Sequence, residues 1–362
     1  MITISLCMIV KNEEVTLARC LDSIKDAVDE IIIVDTGSTD STKAIAKSYT
    51  DKVYDFEWVD DFSAARNETF SKATKDYQMW LDADDVFPKA SLEKLLELKK
   101  NLDSLDSKVD MVTMKYLTHF DENGKPILIS TRERLIRREK NYRWQDPVHE
   151  CIPLAGNIFN TDIEVHHKKP KKEGSENSPR NLNIYMNLEK SGKHLTPRQQ
   201  YYYARELKDH GLWIKSAYYF EKFLDSKKGW FEDNIATCYN LSICYKTLNN
   251  KEKILPILLK SFQYDSPRAE ICCEIGYYYK NMKQYSTALK WFQLAASLGK
   301  PDNLGFVLQD YWGYIPNIEC CVCCCHLNDF EQAVQFNERA SSFKPDAPAV
   351  KINREFLMVK TA

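Results

Sequence analysis

Met79-Trp80-Leu81-Asp82-Ala83-Asp84-Asp85 is an apolar run, readable as a buried strand, that ends abruptly in three carboxylates separated by a single alanine. Folding alone does not ask for such crowding, because like charges at this distance raise one another's pKa unless a cation lies between them. Two residues apart at a strand end, Asp82 and Asp84 point to the same side. Together they can reach a hard divalent ion, its waters, and a bound phosphate or sugar. The plainer alternative is a solvated acidic turn that caps a helix over 91–100. A second turn of similar kind gives the first one company. Ile31-Ile32-Ile33-Val34 is a β-branched strand that breaks into Asp35-Thr36-Gly37-Ser38-Thr39-Asp40, with a helix predicted over 41–49.

Working outward, buried strands and amphipathic helices alternate: strands over 3–10, 30–35, 52–55 and 77–82, helices over 16–24, 41–48 and 63–73. That rhythm predicts a mostly parallel, doubly wound α/β sheet. Ligands of such sheets lie beyond the carboxyl ends of the strands, where both acidic turns fall.

The 362 residues, 44% of them hydrophobic, suffice for one large core or two smaller ones, and a change of composition near residue 170 favours two. A net charge of −2 leaves no electrostatic footprint for nucleic acid. No apolar run is long enough for an integral membrane segment, and the first residues start a strand directly, so a cytoplasmic protein is expected. Twelve cysteines include Cys272-Cys273 and the cluster Cys320 to Cys325. On helical patterns these read as small buried hydrophobes. The alternative is a metal site built from Cys321, Cys324, Cys325 and His326.

Four stretches recur in a recognisable order: Met8-Ile9-Val10-Lys11-Asn12-Glu13-Glu14, Val34 to Asp40, Asp61-Phe62-Ser63-Ala64-Ala65-Arg66-Asn67, and Leu81 to Asp85. In this combination residues 1–185 resemble the inverting GT-A-fold family 2 glycosyltransferases, which take nucleotide sugars as donors. The resemblance implies that Val10, Asn12 and Glu13 contact uridine and ribose, that Asp35 accepts a hydrogen bond from the uracil edge, and that Arg66 and Asn67 approach the donor sugar and diphosphate. It further implies that Asp82 contacts ribose or sugar and that Asp84 holds a metal, Mn²⁺ or Mg²⁺.

Inverting transfer needs a general base across the sugar from the leaving diphosphate. Tyr142-Arg143-Trp144-Gln145-Asp146-Pro147-Val148-His149-Glu150 offers two carboxylates among aromatics that would form a sugar-stacking floor. Glu150 is the first choice of base and Asp146 the second; an ordinary turn at Asp146-Pro147 is the alternative. Arg132, Arg134, Arg137 and Arg138 read more readily as a solvated basic face than as phosphate contacts. Along Ile163-Glu164-Val165-His166-His167, alternation puts Ile163, Val165 and His167 on one face. By the resemblance His167 completes the metal shell, and an imidazole ligand tilts the choice toward manganese. The run Lys168 to Lys172 after it departs from the family pattern and is an alternative lid over the diphosphate.

Residues 173–180 are polar and read as a hinge. Beyond them, residues 186–362 read as a helical tetratricopeptide-like repeat domain. Gly276, Tyr279, Ala288, Phe292 and Ala295 match the repeat spacing, Ala333, Ala340 and Pro345 match again 45 residues on, and weaker copies centre on Ala217 and Ile254. Four such units are expected, with the tyrosine clusters filling their interfaces or lining a peptide groove. The combination resembles bacterial peptide and protein glycosyltransferases, including the S-glycosyltransferases of bacteriocins. The expected activity is transfer of a hexose from UDP-glucose or UDP-GlcNAc to a Cys or Ser side chain of a peptide or protein acceptor, with a homodimer through the repeats as a further possibility. Cell-envelope polysaccharide assembly and a non-catalytic repeat scaffold are the competing readings.

Overall fold

The computed structural model describes residues 1–104, 108–121, 124–169, 178–300 and 307–361. The chain forms two compact units, Met1–Lys193 and His194–Ala362. Within the first, strands β1 (Ile4–Val10), β2 (Glu30–Asp35), β3 (Val53–Asp55) and β4 (Tyr77–Trp80) alternate with helices α1 (Leu17–Ile24), α2 (Thr42–Tyr49) and α3 (Phe62–Lys72). β1 runs parallel to both β2 and β4, and β2 is parallel to β3. Ile32, Ile33 and Val34 are fully buried, as a strand covered on both faces requires.

The rest of the sheet departs from the parallel expectation. After β5 (Asp85–Val86) and α4 (Lys89–Asn101), strands β6 (Met111–Phe120), β7 (Pro126–Arg137) and β8 (Ile158–His167) extend it in the order β3-β2-β1-β4-β7-β6-β8-β5. β7 is antiparallel to β4 and β6, and β5 is antiparallel to β8. The sheet is therefore mixed. The hairpin of β6 and β7 escapes a pattern search because Lys115, Thr118, Arg132 and Arg134 interrupt its apolar period. Its consequence for the site is register: β5 pairs with β8 so that Asp85 lies opposite His167.

Helix α5 (Arg180–Lys190) belongs wholly to the first unit, so the division expected after residue 185 falls inside a helix. Of the expected hinge and lysine lid, residues 170–177 lie outside the described residues.

In the second unit, α6 (Pro197–Asp209) packs on α7 (Trp213–Ser226), α8 (Phe231–Thr247) on α9 (Lys251–Lys260), α10 (Ala269–Asn281) on α11 (Tyr285–Ser297), and α12 (Tyr314–His326) on α13 (Phe330–Phe343). The helix α14 (Pro348–Thr361) follows. One turn recurs in all four pairs. Gly211, Asn249, Lys283 and Asn328 each adopt positive φ after the first helix. The next N–H in each case bonds the carbonyl five residues back: Leu212 to Leu207, Asn250 to Tyr245, Gln284 to Tyr279, Asp329 to Cys324. This is the Schellman closure of a helix, repeated. At Gly276 a Cβ would stand 2.7 Å from the Phe292 ring, so glycine lets α10 and α11 approach. Between successive pairs runs a lysine ladder: Lys208 donates to Asn240 at 2.7 Å, Lys246 pairs with Glu274, and Lys280 pairs with Glu319.

Tyr201, Tyr203, Tyr219 and Phe220 are buried, whereas Tyr218 is exposed. Cys320, Cys321, Cys323 and Cys324 are buried with Phe292, Trp312 and Ala333, and burial raises the pKa of each thiol. His326 stacks on Tyr285 at 4.0 Å. The cysteine cluster is core. Among the described residues, no helix is long and apolar enough to cross a membrane.

Candidate active site

The carboxyl ends of β1 and β2 are in register, with Val10 opposite Asp35. Asp35 turns its Oδ1 onto the backbone N–H groups of Gly37 (2.9 Å) and Ser38 (2.8 Å), so it shapes the turn rather than capping α2. Its Oδ2 is buried and has no hydrogen-bond partner among the described residues, an arrangement that costs about 1–3 kcal/mol unless a donor arrives. The neighbouring turn is stitched to this one. Asn12, at φ 55°, accepts from the Thr39 N–H at 2.8 Å, its own N–H meets Ser38 Oγ at 3.0 Å, and the Glu13 N–H meets Thr42 Oγ1 at 2.7 Å. Thr36 N–H donates to the Val10 carbonyl at 3.0 Å. Asn12 and Glu13 thus build the wall beside Asp35.

In the acidic turn the three carboxylates have different partners. Asp82 Oδ1 pairs with Arg66 Nη2 at 2.7 Å. Asp85, fully buried, pairs through Oδ2 with Arg134 Nη1 at 3.1 Å and accepts the Asp82 N–H at 3.0 Å. Both guanidinium groups lie over Trp80, Arg134 at 3.7 Å and Arg66 at 5.0 Å from the ring centre. Among the described residues, no arginine or lysine pairs with Asp84. Its Oδ1 instead lies 3.2 Å from His167 Nδ1. That nitrogen also stands 3.3 Å from Asp85 Oδ1 and 2.9 Å from the Tyr116 hydroxyl, which in turn meets Asp85 Oδ1 at 2.9 Å. Asp84, Asp85 and His167 are the one cluster of potential metal-ligating side chains among the described residues.

These arrangements set the charges. Burial works to lower the His167 pKa, but the hydrogen bonds the imidazole donates to Asp84 and Asp85, with their charges, outweigh it and lift the group to about 10. For Asp82, burial works upward and the Arg66 and Arg134 charges outweigh it, bringing the carboxyl to about 2. The Tyr116 hydroxyl is pushed well up by burial and by the Asp85 charge.

Helix α3 carries the segment 144–150 at three points. Phe62 N–H donates to the Pro147 carbonyl at 2.8 Å. The Asn67 amide bonds both the N–H and the carbonyl of Trp144, each at 3.0 Å. Arg66 Nε meets Glu150 Oε1 at 2.7 Å. Asp146 and His149 adopt positive φ within this loop, which the Gln145–Cys151 backbone bridge closes. On its other side Tyr185 of α5 donates to the Val148 carbonyl at 3.2 Å.

Arg66 therefore joins Asp82 to Glu150, and Asp84 meets His167 directly. The expected aromatic floor is corrected: Trp144 is 3% exposed and packs edge-on to Trp80 and Phe70. The expected solvated arginine face is corrected in part: Arg134 is fully buried and Arg137 is bonded to the Val109 carbonyl and the Tyr77 hydroxyl, whereas Arg138 is exposed. Asp85 and Arg134, noticed in the sequence only as the third acid of a run and as one of a basic face, join the candidate site together with Tyr116 and Trp80, to which sequence reasoning assigned no role. The third acid of the Asp82 to Asp85 run was the available signal for the first of them. Two surface cavities lie elsewhere, one of about 330 Å³ beside Glu30 and Lys52 and one of about 400 Å³ between α4 and β8.

Residues 5–160 match the glycosyl transferase family 2 model, and residues 269–298 match the tetratricopeptide repeat model. The chain is 41% identical over 152 residues to the TPR repeat-containing protein Synpcc7942_0270 of Synechococcus elongatus, covering 42% of this chain and 36% of that protein. It is 29% identical over 218 residues to the SPbeta prophage-derived glycosyltransferase SunS of Bacillus subtilis, covering 57% and 49%. To the lipopolysaccharide core biosynthesis glycosyltransferase LpsC of Rhizobium meliloti it is 30% identical over 162 residues, covering 43% and 59%. The chain thus spans less than two thirds of the length of each of these curated relatives. The family 2 match falls within the first unit, and the tetratricopeptide repeat match falls within the second.

Proposed function

We propose that this chain transfers a hexose from a UDP-sugar, with inversion, to a Cys or Ser side chain of a peptide or protein. The observation that carries the reading is the Asp84–His167 pair: both flanking acids already have arginine partners, and the middle one faces an imidazole. A carboxylate and an imidazole suit Mn²⁺ better than Mg²⁺. Asp84 and His167 would hold that cation, which when bound supplies neutralisation of the charge on the departing diphosphate. The unpartnered, buried Asp35 Oδ2 is matched to an N–H on the uracil edge. Asp82, the most exposed of the three acids with 35% of its side chain accessible, has one oxygen on Arg66 and the other for ribose or sugar hydroxyls.

Glu150 takes the proton. Its Oε1 is held by Arg66, and among the described residues no hydrogen bond engages Oε2. The acceptor's S–H or O–H proton passes to that carboxylate as its sulfur or oxygen bonds the anomeric carbon. The bond from that carbon to the diphosphate oxygen breaks, and UDP leaves with the electron pair. The repeats supply surface for the peptide. LpsC favours a second reading in which the acceptor is an envelope saccharide.

The test is UDP release from UDP-glucose or UDP-GlcNAc with Mn²⁺, with and without EDTA. Release is expected to be chelator-sensitive and absent in Asp84→Asn, whose melting temperature stays near wild type. Release that survives both treatments would remove the proposal. Glu150→Gln is expected to bind UDP normally and to lose turnover; undiminished turnover would move the base to Asp146. Labelled sugar appearing on saccharide rather than on peptide would decide for the second reading.

A further inference from the structure

Arg66 was expected at the donor diphosphate, yet its guanidinium is already engaged. Nη2 is on Asp82 at 2.7 Å and Nε is on Glu150 at 2.7 Å, with 8% of the side chain exposed. One cation between two carboxylates leaves the group with a net negative charge, which disfavours a further phosphate. The guanidinium lies 5.0 Å from the Trp80 ring centre and 4.8 Å from that of Trp144, and Trp144 is itself fixed by Asn67. Its third nitrogen, Nη1, is buried without a hydrogen-bond partner among the described residues. A planar fork held at both ends by carboxylates and packed beside two indoles that meet edge to face has little freedom to turn.

We infer that Arg66 is a positioning residue that sets the distance between the donor-side carboxylate Asp82 and the base Glu150, and that it is not a ligand of the diphosphate. Helix α3 is the rigid bar of this device. Phe62, Arg66 and Asn67 engage Pro147, Glu150 and Trp144 respectively, so the base-bearing loop takes its place from one helix. The leaving diphosphate and the base stand on opposite sides of the reacting carbon in an in-line displacement, and an error of about 1 Å there lowers the rate roughly 100-fold. The inference rests on the reading of Glu150 as base, but its geometric part does not depend on it.

Three measurements on the full chain test it, with Arg66→Met removing the fork and Arg66→Lys keeping the charge without the two-sided reach. First, hydrogen exchange over 144–151 without any ligand should quicken in both variants relative to wild type; unchanged exchange overturns the docking role. Second, affinity for UDP with Mn²⁺, by calorimetry, should stay within about threefold of wild type, whereas a loss of tenfold or more makes Arg66 a diphosphate ligand and overturns the inference. Third, turnover should fall about 100-fold in either variant, and Arg66→Met should add nothing in a Glu150→Gln background. Multiplicative losses there overturn it. Were the wild-type chain to bind no UDP, the glycosyl-transfer reading would fall while the exchange result still judged the docking.

Discussion

Arg134 and Asp85 form an ion pair in which neither side chain is exposed. Removing one member of such a pair strands the other charge in a medium that cannot solvate it, at a cost of about 3–5 kcal/mol. Arg134→Met is therefore expected to lower the urea midpoint of the first unit by an amount corresponding to that loss, followed by tryptophan fluorescence. A change under about 1 kcal/mol would mean that Asp85 finds another cation. Asp82, Asp84 and Asp35 are legible in sequence because each follows an apolar strand and breaks its pattern. Arg134 is not legible. Its neighbours Arg132, Arg137 and Arg138 give it the look of a surface residue, and only the pairing of Met79 with Leu135 across β4 and β7 brings it beneath Trp80. Arg66 is an intermediate case: its place in the site is visible from its motif, but its two carboxylate partners lie 16 and 84 residues away.

Among the elements, the early strands and helices are readable to within a residue or two, from the strand over 30–35, whose apolar run is unbroken, to the helix predicted over 63–73 and found at Phe62–Lys72, whose start Asp61 caps. The β6–β7 hairpin is hidden because long-range register, not local periodicity, makes it. The repeat turns offer a local test. Lys283 sits at φ 60° on an exposed corner where Gly211 stands in the first pair. A side chain there carries the left-handed penalty that glycine avoids, offset in part by glycine's greater freedom when unfolded. Lys283→Gly is expected to stabilise the second unit by about 0.5–1 kcal/mol, read as a higher thermal midpoint. Gly276→Ala should do the reverse, by about 1–3 kcal/mol, because its Cβ meets the Phe292 ring. Equal midpoints for the two variants would dissolve the account of both glycine positions.

Across the whole molecule, acid acts on the two units in opposite senses. Burial works to raise the Glu30 pKa, but hydrogen bonds from Lys52, Ser5 and Thr74 outweigh it and bring the carboxyl to about 2. Its folded value lies below the ordinary one near 4.3, so its contribution is present above that pH and is lost as the pH falls through about 2. Asp233 of α8 is lifted by burial to about 6, and Glu270 of α10 is raised by burial as well. Groups that bind protons more tightly when folded stabilise the fold increasingly as the pH drops from about 6 to 4. Lowering the pH from 6 to 2 is therefore expected to unfold the first unit before the second, as resolved by hydrogen exchange; helices lost first would contradict this. The lysine ladder gives the helical stack a direction, since every rung leans from one pair toward the next in chain order. Because the joints are alike, cutting out residues 250–283 would bring Lys246 to the place of Lys280, opposite Glu319. The shortened rod would close its seam with the same chemistry, whereas a module turned end for end would meet lysine with lysine.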